Sequence, residues 1–200
     1  MNMKNEVNTH LNPLPTGKVE IAGIALFLIA LFLRFTHLPF SGPLTVLSLG
    51  TLAVIYIIRG FEIIGFQQDE KQFNAVNMIT GVILSITCIG ILFRLMYWPF
   101  SQMHLTIACF GLPIAFGWLF TVRTKVIYKE TAHVYFLKLI RVAVFFALAA
   151  TLYSISLKTQ IDIENWDDTK MAELKYKYMS NQNNAQYREE YLEYRKNKLK

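Results

Sequence analysis

The chain has 200 residues, of which 54% are hydrophobic, 14% aromatic and only 17% charged, and its mean hydropathy is +0.33. A soluble domain carries about 25% charged residues, and a disordered chain has too little apolar surface to bury, so the composition excludes both. The net charge of +6 is confined to the first 158 residues, which hold twelve Lys/Arg against six Asp/Glu, while residues 159–200 hold eight of each. Nowhere is there a dense basic run, so the excess speaks for orientation in a membrane rather than for a nucleic-acid partner.

In chain order, residues 1–18 form a polar leader with Pro13, Pro15 and Gly17. Ile21–Leu33 is then an unbroken apolar run closed by Arg34 and His37, and the first span is expected over Val19–Leu38. No small-residue cleavage site follows it, which argues against a signal peptide. The second span is expected from Leu44 to about Phe66, through Arg59 and Glu62, the third over Ala75–Trp98 and the fourth over Leu105–Val122. Each is near the roughly 20 residues that cross a bilayer as helix, and runs this long are helices rather than barrel strands. A mixed stretch, Val126–Ile140, precedes a fifth span expected at about Arg141–Leu157.

Basic residues sort these connections into two sides. Lys4, Lys18, Arg59, Lys71, Arg123, Lys125 and Lys129 fall on one side, with Lys138 and Arg141 adjoining. The turns at 38–43 and 98–103 contain none, and only Lys158 and Lys170 lie near the fifth span on that second side. The positive-inside rule then places the N-terminus in the cytoplasm and the C-terminal tail outside. For a bacterial chain this means a multi-pass inner-membrane protein with a periplasmic tail.

Residues 31–41 (LFLRFTHLPFS) and 91–101 (ILFRLMYWPFS) repeat at an offset of sixty. Arg34/Arg94, Pro39/Pro99, Phe40/Phe100 and Ser41/Ser101 coincide, and His37 and Leu38 align with Tyr97 and Trp98. In both copies an apolar helix ends in Arg, a ring follows, and Pro breaks the helix. Two hairpins that begin on the same side are parallel repeats, at 19–66 and 75–122. Arg34 and Arg94 can snorkel to headgroups or bond carbonyls at their own helix ends, with His37, Tyr97 and Trp98 in an aromatic belt. Alternatively they form a joint cationic site for a lipid phosphate or a partner carboxylate.

The stretch Ala30–Gly50 resembles the N-terminal hairpin of GldL, the membrane stator-like subunit of the gliding motility and type 9 secretion motor of Bacteroidota. Arg34, Thr36, His37, Gly42, Pro43, Leu44, Thr45, Ser48 and Gly50 carry the match, and Phe93–Ser101 resembles the W-P form of the motif. About thirty residues are covered closely and about a hundred loosely. The resemblance implies a helical hairpin in a membrane subunit or scaffold. The stator member of that family has a glutamate four residues after the glycine of its second helix; Val54 and Ala115 stand there in this chain, and no acid lies in the middle of any span. Proton-driven motor work is therefore not expected.

Arg59 and Glu62, spaced i, i+3, read as an ion pair on a helix face at the membrane edge, or as a gating pair. Gly111, Pro113 and Gly117 predict a kink in the fourth span, of a kind that lines cavities in some transporters. His10, His104 and His133 are isolated, and Cys88 and Cys109 lie inside apolar runs without a CxxC spacing, so neither a metal, a cofactor nor a disulfide is expected. No hydrolase, zinc-protease, P-loop or dinucleotide fingerprint is present, and no enzyme is expected. The tail opens with Asp162, Glu164, Asp167 and Asp168, suited to cap a helix beginning near Thr169. Met171, Leu174 and Tyr178, then Tyr187, Tyr191 and Tyr194, form apolar stripes at helical spacing. They either pack back on the membrane domain or face a partner. The expectation is thus an all-α integral membrane protein of five transmembrane helices, with interfacial stretch and fifth span over 126–158 and a helical tail over 159–200. Its expected partners are membrane lipid and a membrane-protein partner or second copy. The alternative function is a small transport or lipid-binding protein.

Overall fold

The computed structural model describes the backbone of residues 16–62, 71–125 and 129–198, with side chains for 17–60, 75–122 and 136–198. The described residues form eight helices: α1 (Thr16–Phe35), α2 (Ser41–Glu62), α3 (Lys71–Leu95), α4 (Ser101–Lys125), α5 (Lys129–Ser154), α6 (Leu157–Glu164), α7 (Thr169–Ser180) and α8 (Ala185–Lys198). Four of them contain stretches long and apolar enough to cross a membrane: Ser41–Gly60, Ala75–Leu95, Ser101–Val122 and Phe136–Ser154. The regular elements of the described residues are thus all helices, and the chain fits a multi-pass membrane protein. In α1 the apolar run is flanked within the helix by Lys18, Glu20 and Arg34.

α3 is the central helix, packed against α2, α4 and α5, while α1 packs on α2. Its apolar stretch is 61% buried, against 22% for that of α5. One core joins Leu49, Leu52 and Tyr56 of α2 to Leu84, Cys88 and Ile91 of α3, with Leu105 and Leu112 of α4 and Val142 and Phe145 of α5. Where α2 crosses α3 two glycines meet. A Cβ on Gly81 would lie 2.5 Å from the Tyr56 carbonyl oxygen and 2.8 Å from the Gly60 Cα, so only a side chain of hydrogen lets the backbones approach this closely. Outward faces remain apolar, with Ile21, Phe32, Leu47, Phe110 and Ile114 all more than 60% exposed. A soluble monomer does not leave such a girdle bare. Hydroxyls inside these helices bond their own backbone: Thr80 to the Val76 carbonyl and Thr87 to that of Ile83, both at 2.7 Å, which satisfies them without water.

The two proline turns have the same backbone. The His37 amide donates to Arg34 O and the Leu38 amide to Leu33 O. Sixty residues on, the Tyr97 amide donates to Arg94 O and the Trp98 amide to Phe93 O. This is the Schellman closure, which puts the residue after the helix cap in the left-handed region. His37 (φ 56°) and Tyr97 (φ 57°) take that position, and Phe40 (φ 71°) and Phe100 (φ 65°) open the next helix with the same sign. No glycine has positive φ among the described residues, so four side chains sit where each costs about 1–2 kcal/mol.

Two elements differ from expectation. The mixed stretch before the fifth apolar run does not stand apart; where described, from Lys129, it belongs to one helix that continues to Ser154. Its polar side chains Lys138 and Arg141 turn inward onto partners of other helices, so they need no break in the helix. A separate short helix, α6, occupies the tail's opening, capped by the Ser156 side chain accepting from the Thr159 amide. The helix expected near Thr169 is α7, capped by Asp168 accepting from the Met171 amide. Its apolar stripe meets that of α8: Tyr178 and Tyr191 stack at 5.7 Å, and the Tyr194 hydroxyl lies 3.3 Å from Asp168. Within the tail, Tyr178 and Tyr191 therefore pack on one another.

Candidate functional site

Each end of the helical bundle holds one buried carboxylate gripped by two cations and a tyrosine. Their members on α1, Glu20 and Arg34, lie fourteen residues apart along the helix, roughly 21 Å at 1.5 Å per residue.

At the first end the carboxylate is Glu20, 2% exposed near the start of α1. Arg59 of α2 donates to its Oε2, Arg141 of α5 lies with Nε 2.6 Å from Oε1, and the Tyr56 hydroxyl donates to Oε1 at 3.2 Å. Three helices therefore meet on one side chain. Beside it Lys138 donates to Asn77 Oδ1 at 2.6 Å, linking α5 to α3. A cavity of about 40 Å³ opens here, lined by Tyr56, Arg59, Asn77, Thr80, Lys138 and Arg141 among others. The expected partner of Arg59, Glu62, has a side chain outside the described residues; the acid that holds Arg59 is Glu20, thirty-nine residues away.

At the second end the carboxylate is Glu164, at the end of α6. Arg34 Nε donates to its Oε1 at 2.8 Å, and Lys175 Nζ and the Tyr97 hydroxyl donate to Oε2 at 2.8 and 2.6 Å. Arg34 and Lys175 also lie over the Tyr97 ring, 5.7 and 4.6 Å from its centroid, where a cation meets the negative face of the π system. Burial pushes the Glu164 carboxyl up, but the nearby Lys175 and Arg34 charges outweigh it and hold it below the usual carboxylate range. Burial and the Glu164 charge push the Tyr97 hydroxyl up, so it remains a donor. His37 Nε2 lies 3.2 Å from Asp167 Oδ1, with both side chains about two-fifths exposed.

Arg34 and Arg94, expected to snorkel to headgroups, to bond carbonyls of their own helices or to form a joint cationic site, reach neighbouring chain ends. Arg34 also donates to the Leu95 carbonyl at the end of α3, and Arg94 donates to the Ile155 carbonyl just past α5. Each spans sixty-one residues, so one arginine position caps the helix two further on, twice. Gln160 Nε2 returns to the Arg94 carbonyl at 3.2 Å. Trp98 is 42% exposed and meets Phe93 edge-on at 5.3 Å. A Cβ on Gly111 would lie 3.2 Å from Ile83 Cγ2 of α3, tighter than ordinary contact, while Pro113 and Gly117 face outward on an uninterrupted α4, away from the cavity. His104 Nδ1 donates to the Phe100 carbonyl, 2.9 Å away. His10 and the side chain of His133 lie outside the described residues, which contain no cluster of His, Cys, Asp or Glu suited to a metal.

Sequence reasoning passed over Glu20, Lys138, Arg141 and Lys175 as members of sites. An available signal was Glu20 itself, an acid opening an apolar helix on the side where the arginines gather. Within the tail's four acids nothing distinguished Glu164 before folding. The chain matches no protein-family model, no curated protein and no solved structure.

Proposed function

We propose that the chain is a non-enzymatic subunit or scaffold of a bacterial inner membrane, similar to the GldL hairpin family but without a proton path. It crosses the membrane five times, with α1 as the first span, the N-terminus cytoplasmic and the tail periplasmic. Support for α1 comes from its outward-facing Ile21, Leu28 and Phe32 and from Glu20, the acid at its head, being neutralised inside the bundle. The shared hydrogen bonding and φ angles of the two proline turns support parallel hairpin repeats.

The observation that carries the functional reading is that each buried carboxylate is locked by two cations of the same chain. An acid that shuttles protons must be able to lose its partner and reach water; Glu20 and Glu164 are held by geometry that joins helices. At the positions where the stator family has its glutamate, Val54 faces outward and Ala115 is buried in the core. The cavity near Glu20, about 40 Å³, is far below the roughly 300–1,000 Å³ of a small-molecule site, which disfavours transport of an organic solute.

Purification in mild detergent tests this reading. A stoichiometric protein partner or a stable homo-oligomer is expected, and the Glu164-held tail is the part accessible to a periplasmic partner. A monomer carrying a bound lipid or solute, with no protein partner, overturns it in favour of lipid handling or transport.

A further inference from the structure

α6 crosses the end of the bundle in a readable order. It starts beside Ile155, whose carbonyl Arg94 caps; Gln160 then binds the Arg94 carbonyl at the end of α3. Glu164 next binds Arg34 at the end of α1, and Asp167 reaches His37 just past it. By residue 166 the chain has therefore traversed the bundle from α5 to α1. α1 is an edge helix, and its last turns carry outward-facing Phe32 and Phe35, 64% and 52% exposed.

At this place the strap leaves two large apolar side chains uncovered. Ile163 is 45% and Trp166 75% exposed, three residues apart, while the neighbouring Ile161, Glu164 and Asn165 are buried. The strap is thus two-sided, with one face bonded to the bundle and the other presenting Ile163 and Trp166 beside exposed Lys158, Asp162 and Asp167. The contact of Asp167 with His37 brings the adjoining Trp166 to the level of the proline turns, where Phe40 and Phe100 are each 71% and Leu38 47% exposed. Trp is suited to such a depth, since its ring prefers the acyl boundary and its N–H the headgroups.

We infer that Ile163 and Trp166 insert into the headgroup–acyl boundary of the bilayer on the tail side, making α6 an interfacial strap held by protein on one face and by lipid on the other. This rests on the membrane-spanning reading proposed above, so its test carries a separate control for that reading.

Phosphatidylcholine–phosphatidylglycerol vesicles, with chains brominated near the headgroup end or near the chain terminus, report the depth of a tryptophan by quenching. The Trp98→Phe/Trp118→Phe protein leaves Trp166 alone, and Trp98→Phe/Trp166→Phe leaves Trp118, an outward residue of α4. Trp166 should lose most of its emission to shallow bromines, little to deep ones, and be sheltered from aqueous acrylamide. Trp118 should be quenched by bromines whatever Trp166 does. If Trp118 is quenched but Trp166 is open to acrylamide and untouched by bromine, the strap inference is wrong and the membrane reading stands. If Trp166 is sheltered from acrylamide yet untouched by bromine, protein rather than lipid covers it, and the inference is again wrong. If neither is quenched by bromine, the membrane reading fails and takes the inference with it. Should a doubly substituted chain misfold, the emission difference between the native chain and Trp166→Phe isolates the same signal, because Trp166 is packed against little.

Discussion

The Glu20 and Glu164 clusters use the same parts to different ends. Each sets one carboxylate among two cations and a tyrosine hydroxyl. Glu20 ties α1 to α2 and α5, and both of its cations are guanidinium groups on apolar helices. Glu164 ties an appended helix to α1, with a lysine from α7 and a tyrosine from the α3–α4 turn. The contrast teaches that a buried ion cluster is to be judged by what it connects. Losing the first should loosen the bundle itself, and losing the second should release only the tail.

The largest expected effect follows from Glu20→Gln. Removing one partner of a buried ion pair costs about 3–5 kcal/mol, and Glu20, 2% exposed, is the partner of two arginines on two other helices. Thermal unfolding in detergent should show a cooperative loss across the whole molecule. Arg59→Gln and Arg141→Gln should each cost less, since the other guanidinium still serves the carboxylate. Equal damage from a single arginine would mean that Glu20 is not the hub.

Glu164→Gln is expected to cost about 3 kcal/mol, the low end for a broken pair, because its side chain is 11% exposed and water can partly compensate. Limited proteolysis should cut the junction at 154–169 while the bundle melts as before. The same bond gives a pH dependence. Glu164 sits below its ordinary value of 4.5 when docked, so its contribution is complete above that value and is lost as pH falls through the depressed one. Tail protection should therefore hold at neutral pH and fail only in acid. Loss of protection on raising the pH through neutrality would contradict the assignment.

A smaller effect separates the two repeated turns. His37 and Tyr97 share a left-handed φ, but Tyr97 serves Glu164 and two cations, whereas His37 makes one exposed bond to Asp167. Glycine relieves about 1 kcal/mol of backbone cost at either place. The exposed His37 pair is worth about 0.5 kcal/mol or less, so His37→Gly should be neutral or slightly stabilising. Tyr97→Gly should destabilise the tail, since a buried hydrogen bond to a charged group contributes about 1.5–3 kcal/mol. Opposite signs at equivalent positions, read by proteolysis and melting together, would sharpen the comparison; equal signs would break it.

Much of this architecture was legible before the fold. The apolar runs mark the long helices, Pro39 and Pro99 mark the turns, and Asp168 marks the start of α7. The clusters were not legible, because their members are brought together from far along the chain. Arg59 has Glu62 at helical spacing, but no local spacing announces its bond to Glu20 from another helix. Arg34 reads as a membrane-edge anchor until α6, an eight-residue helix with little periodicity to announce it, carries Glu164 across the bundle. Local spacing reports what one helix presents, whereas these pairings depend on which helix ends become neighbours.

The central claim is that the two carboxylate clusters stand on opposite sides of a membrane crossed five times. Reporter fusions test it directly. Alkaline phosphatase joined after Lys200 should be active and green fluorescent protein at the same place dark, with fluorescence recovered when the fluorescent protein follows the α2–α3 connection. A fluorescent fusion after Lys200 would put the tail and Glu164 on the cytoplasmic side and contradict the five-span arrangement.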